Sequence, residues 1–139
     1  MNEYLEAMLN VAFEHGIGYQ LIGFLGTRTP SGANPDSKRI AINTSWYRPN
    51  QLPFIVAHEI AHILHEDEGI LYFHTTYKTK LEGGADRTAV NLLVHEYHRR
   101  NDAVPNYVKF MQDFEIPDDL EDCVKDSIMD EYEYDLDYM

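Results

Sequence analysis

Between Phe54 and Leu64 the chain sets His58, Glu59 and His62 into a run otherwise built from Ile55, Val56, Ala57, Ile60, Ala61 and Ile63. So apolar a stretch at helical spacing belongs against a core, and Pro53 suits its first turn. Burying three ionisable side chains there is costly unless they find partners. His58 and His62 are four residues apart, which puts them on one helix face within reach of a single ion. Glu59 follows His58, where a carboxylate reaches a water on that ion without being a ligand. The pattern is the outline of a hydrolytic site, with Zn2+ as the expected ion.

A chain of 139 residues holds one modest core, so residues 1–139 are expected to form a single domain. A formal charge of −13 argues against direct contact with nucleic acid or an anionic membrane, both of which attract basic patches. No apolar run approaches the ~18 residues of a membrane span, and the first residues lack the basic start of a secretory signal. With the lone Cys123 unable to form an internal disulfide, the expected compartment is cytoplasmic. Whatever binds metal here uses histidines and carboxylates.

The expected fold is α+β, a short sheet or hairpin beside the His-Glu-x-x-His helix, a second ligand-bearing helix, and a helical C-terminal part. Asn2 to His15 carry apolar residues at helical spacing, with Gly16 as the cap. Tyr19 to Leu25 and Arg39 to Asn43 read as two strands joined by the turn-rich stretch Thr29 to Asp36. This hairpin is the candidate shelf for an extended peptide, held by strand addition. After the connector Ser45 to Pro53, the metal helix runs to about His65, and Ile70 to Lys80 reads as a loop rimming the cleft. A second long helix is expected from about Thr79 to Arg100, followed by shorter ones over Asn106 to Phe114 and Asp118 to Asp130. Half of the 24 acidic residues lie from Asp113 onward, and the stretch from about residue 130 reads as an acidic tail.

A catalytic zinc takes three protein ligands and leaves one position to water, so the two histidines need a partner. His65 shares their helix but lies about 10 Å from His58 along the axis at ~1.5 Å per residue. His74 is a loop candidate, whereas His95 and His98 fall far down the second helix and suit solvated or capping roles. Glu82 and Asp86 are four apart near a helix start, with Gly83, Gly84 and Ala85 between them to let two helices approach closely. We assign Glu82 as third ligand and Asp86 as the acceptor that orients a ligating histidine through its outer nitrogen.

The strand Arg39–Asn43, His58-Glu59-Ile60-Ala61-His62 and the helix from Glu82-Gly83-Gly84-Ala85-Asp86 to Leu93 together resemble the ImmA/IrrE family of small zinc metallopeptidases. The similarity spans about residues 39 to 95. Gly84 stands where many members carry a second glutamate, and Thr88 where phenylalanine is common. The resemblance implies a zincin-like domain. It also implies a protein substrate, a helix-turn-helix repressor whose cleavage derepresses genes of a phage or mobile element.

The expected chemistry is metal-assisted peptide hydrolysis. Zinc held by His58, His62 and Glu82 activates water, Glu59 takes its proton, and Tyr72, His74 or Tyr77 supplies an extra donor to the transition state. The alternative is a non-catalytic zinc-binding module that regulates a repressor or toxin partner by docking. The oligomeric state is not specified by the sequence.

Overall fold

The computed structural model describes residues 2–67 and 75–133, and within these the side chains of 66, 67 and 75–82 are left out of the description. The chain forms helix α1 (Glu3–Glu14), strands β1 (Gly18–Ile22), β2 (Gly32–Asn34) and β3 (Arg39–Asn43), then helices α2 (Leu52–Asp67), α3 (Thr75–Arg100), α4 (Tyr107–Asp113) and α5 (Glu121–Glu131). The α+β expectation holds.

Helix α1 begins where Asn2 Oδ1 accepts hydrogen bonds from the Tyr4 and Leu5 amides at 2.7 and 3.2 Å. It ends at Gly16, whose φ of +71° lets its amide reach the Phe13 carbonyl and the Ile17 amide reach that of Ala12. Those two bonds form a Schellman cap, which a left-handed residue makes possible. Leu5, Met8, Leu9 and Ala12 form the buried face between.

The sheet corrects one expectation. The two strands read from the sequence do not form a hairpin, because β1 pairs with β3 in parallel, with Gly18 opposite Arg39 and Ile22 opposite Asn43. The turn-rich stretch contributes a strand of its own: β2 lies antiparallel to β3, giving the order β1-β3-β2. Two reversals of direction separate β1 from β3, which leaves them parallel. The actual hairpin is β2–β3, closed by an Asx turn in which Asn34 Oδ1 accepts from the Asp36 and Ser37 amides, with Lys38 at a φ of +53°.

Ile40 and Ile42 of β3 are buried beneath α2, which packs on both β2 and β3. Helix α2 is apolar on most of its circumference, with Val56, Ala57, Ile60, Ala61 and Ile63 fully inaccessible, as suits a central helix. Ala85, Ala89, Val90, Leu93 and Val94 of α3 cover its other side, and α5 closes over α3 through Val124, Ile128 and Tyr132. Tyr132 is entirely buried and donates its hydroxyl to the Asn101 carbonyl at 3.2 Å. The stretch read as an acidic tail from about residue 130 begins inside the fold, since α5 runs to Glu131 and Tyr132 is buried, and residues 134–139 lie outside the described residues.

Candidate metal centre

Helix α2 carries His58, Glu59 and His62 as the spacing requires, one turn separating the two rings. Their Nε2 atoms are 3.1 Å apart and the ring planes nearly perpendicular at 85°. One ligand atom from each of His58, Glu59 and His62 lies within 4.8 Å of the others, the single such group of metal-binding side chains among the described residues. Glu59 is buried, 7% exposed.

Helix α3 supplies the group behind this cluster. Asp86 Oδ1 stands 2.9 Å from His58 Nδ1, with both side chains about one-fifth to one-quarter exposed. A carboxylate only accepts, so a ring proton on His58 Nδ1 would suit this contact and would leave the Nε2 lone pair on the side of His62.

The donor set fits a metal ion. Two imidazole nitrogens at ~2.0 to 2.1 Å from a tetrahedral ion stand about 3.3 Å from each other, close to the 3.1 Å seen here. Imidazole nitrogens with a carboxylate suit zinc and its transition-metal neighbours, whereas calcium and magnesium require oxygen.

A cavity of about 510 Å³ opens over these groups, walled by Pro30 and Ser31 from the approach to β2, by Trp46 and Gln51, and by Phe54 and Ile55 of α2. Asn43 holds that rim. It is fully buried; its Nδ2 donates to the Gly26 and Thr29 carbonyls at 2.8 Å each, and its Oδ1 accepts from the Ser45 amide at 2.9 Å. Its own amide donates to Ser31 Oγ at 2.9 Å. The sequence pattern alone does not mark Asn43, Trp46 and Gln51 as cavity residues. For Asn43 the available signal is an amide side chain at the last residue of the β-prone run Arg39–Asn43, directly after Ile42 and before the connector.

The remaining candidates fall as follows. Glu82 lies in α3 four residues before Asp86, and its side chain is not among those described. Tyr72 and His74 lie outside the described residues. Tyr77 was expected in a rim loop, but α3 already begins at Thr75. From Thr75 to Glu82 no proline or glycine interrupts the helix, and weak propensities such as that of threonine yield readily to context.

His65 turns away from the centre, its Nε2 hydrogen-bonded to Thr88 Oγ1 at 2.9 Å and its ring against Gly84. His95 and His98 are not merely solvated: each Nδ1 meets the same Glu131 Oε1, at 2.9 and 3.0 Å. That pairing spans more than thirty residues and ties α3 to α5.

A buried His-Glu-x-x-His helix beside a small sheet, with a carboxylate of the next helix 2.9 Å from the first histidine, is compatible with a metallopeptidase-type centre. The family model of the M78 peptidases, described as the IrrE N-terminal-like domain, matches residues 20–117, and the chain belongs to that metallopeptidase family. No curated protein and no solved structure matches the chain.

Proposed function

We propose that the protein is a zinc-dependent endopeptidase in which His58, His62 and Glu82 hold the ion, Glu59 is the general base and Asp86 orients His58. The observation that carries this reading is the 3.1 Å convergence of His58 Nε2 and His62 Nε2 with Glu59 beside them at the base of an open cavity. Zinc bound there would supply Lewis acidity, polarising a carbonyl and making water nucleophilic near neutral pH.

The chain's own residues do the rest. Glu59, shielded from bulk solvent, accepts a proton from the attacking water at a carboxylate oxygen and returns it to the leaving amine nitrogen. Asp86 keeps the His58 proton on Nδ1 throughout, so His58 Nε2 stays a lone-pair donor. The peptide lies extended along the open edge of β2, where Pro30 and Ser31 border the cavity and backbone groups of an edge strand are available for pairing. Tyr72, His74 and Tyr77 are the candidates for an additional donor to the tetrahedral intermediate.

The family resemblance supports a reading of the substrate class. We take it to be a helix-turn-helix transcriptional repressor, cut in the cytoplasm to derepress genes of a phage or mobile element. Incubation of the zinc-loaded protein with the repressor encoded beside its gene, with mass spectrometry of the products, tests this. Discrete fragments support it; an intact repressor held in a stable complex supports the non-catalytic docking module.

A further inference from the structure

The catalytic cavity does not stop at the metal centre. Trp46 and Gln51, which line it, also line a larger neighbouring groove of about 870 Å³. Gln51 is the partition: its Oε1 accepts from Trp46 Nε1 at 2.7 Å, and its Nε2 donates to the Glu115 carbonyl at 2.9 Å. One wall of the groove is therefore the Trp46–Tyr47 pair, ring centroids 4.9 Å apart, and the other is α4 with the turn that follows it.

The charges on those walls are segregated. Glu115, Asp118 and Glu121 line the α4 side. Glu121 is 3.5 Å from Lys125, but among the described residues Glu115 and Asp118 form no ion pair. On the opposite wall Arg48 lines the groove, and its cation, like that of Arg28, is engaged with a ring: the guanidinium carbons of Arg28 and Arg48 lie 4.1 and 5.2 Å from the Tyr47 centroid. A groove with two unpaired carboxylates, an indole face and a parent chain of net charge −13 is complementary to lysine and arginine side chains.

We propose that this groove extends the substrate site and takes a basic segment of the polypeptide flanking the scissile bond. The inference rests on the endopeptidase reading, because a chain cleaved internally must continue past the metal centre. An extended chain advances ~3.3 Å per residue, so a few residues carry it over Trp46 from one cavity into the next.

Trp46 is the chain's single tryptophan, so its emission reports occupancy of the partition directly. Zinc-loaded Glu59→Gln protein is titrated with two synthetic peptides that share neutral central residues and differ only in flanks, lysine and arginine in one, aspartate and glutamate in the other. The basic peptide is expected to bind about tenfold more tightly, with the advantage shrinking as salt is raised. Charge reversal in Glu115→Lys/Asp118→Lys is expected to abolish the preference while zinc content stays unchanged. The neutral pair Glu115→Gln/Asp118→Asn, which perturbs folding less, is expected to reduce it by a smaller factor. Equal affinities, tighter binding of the acidic peptide, or a preference surviving both double variants would overturn the proposal. Binding is read apart from turnover: the preference without cleavage by the wild type refutes the peptidase reading alone, and cleavage without the preference refutes the groove alone.

Discussion

Asp86 Oδ1 meets His58 Nδ1 at 2.9 Å across the contact between α3 and α2, which is the proximity behind the proposal that Asp86 orients the motif's first histidine. Removing the acceptor frees the ring to rotate and to carry its proton on either nitrogen. Asp86→Ala is expected to weaken zinc binding by about 10- to 100-fold, the usual cost of losing such a partner. Glu82→Ala, which removes a proposed ligand, is expected to lose the ion more completely. Competition with a chromophoric chelator measures both, and an unchanged affinity in Asp86→Ala contradicts the orienting role.

Two adjacent glycines in α3 make opposite predictions. A Cβ on Gly83 meets nothing within 4 Å, whereas one on Gly84 comes to 3.0 Å from His65 Cε1 and 3.3 Å from Nδ1. Gly83→Ala is expected to stabilise the protein by roughly 0.5 to 1 kcal/mol through helix propensity. Gly84→Ala gains the same propensity but forces the imidazole, anchored on Thr88, away from its seat. A net loss of about 1 to 2 kcal/mol is expected, as for other overpacked sites. Denaturant titration of the two variants decides it, and restored stability in Gly84→Ala/His65→Ala traces the loss to this contact.

Asn43 organises the cavity rim through three side-chain hydrogen bonds made from a fully buried position. Asn43→Ala leaves the Gly26 and Thr29 carbonyls without their donor, and a cost of about 2 to 3 kcal/mol is expected. Because the metal residues lie on other elements, zinc content is expected to remain while KM for a peptide rises. Loss of zinc from the folded variant would show that the rim and the centre are not independent.

The α3–α5 clamp gives a pH dependence. Burial pushes the Glu131 carboxyl up, but the hydrogen bonds from His98 and His95 and their charges outweigh it and hold it below the ordinary value of 4.5. A carboxyl depressed in the folded state stabilises it above the unfolded value, and that contribution disappears as pH falls through the folded value. Wild-type stability is expected to drop on acidification from about pH 5 downward more steeply than that of Glu131→Gln. Parallel urea-denaturation profiles for the two proteins would exclude the clamp as a contributor.

Much of the scaffold was legible because its signals are local. Helix α2 follows from its apolar run, the 3.1 Å approach of the two rings from a four-residue spacing, and the close contact of α3 from Gly84, Ala85 and Ala89. The parallel β1–β3 pairing was not legible, since it depends on a three-residue strand hidden in a stretch rich in turn formers. Nor was the joining of His95 and His98 by Glu131, because nothing near either histidine points to a carboxylate in α5. Gln51 likewise finds its partner at Glu115, a contact that only tertiary packing creates.

The most direct test of the central claim is mass spectrometry of a repressor or peptide substrate after incubation with zinc-loaded wild-type protein and with Glu59→Gln protein of equal zinc content. Glu59 sits beside both histidine nitrogens yet is assigned the proton and not the ion, so its amide should keep the metal and lose the reaction. The account predicts fragments from the wild type and a loss of at least about a hundredfold in Glu59→Gln. Fragments appearing at the same rate from both proteins would contradict it.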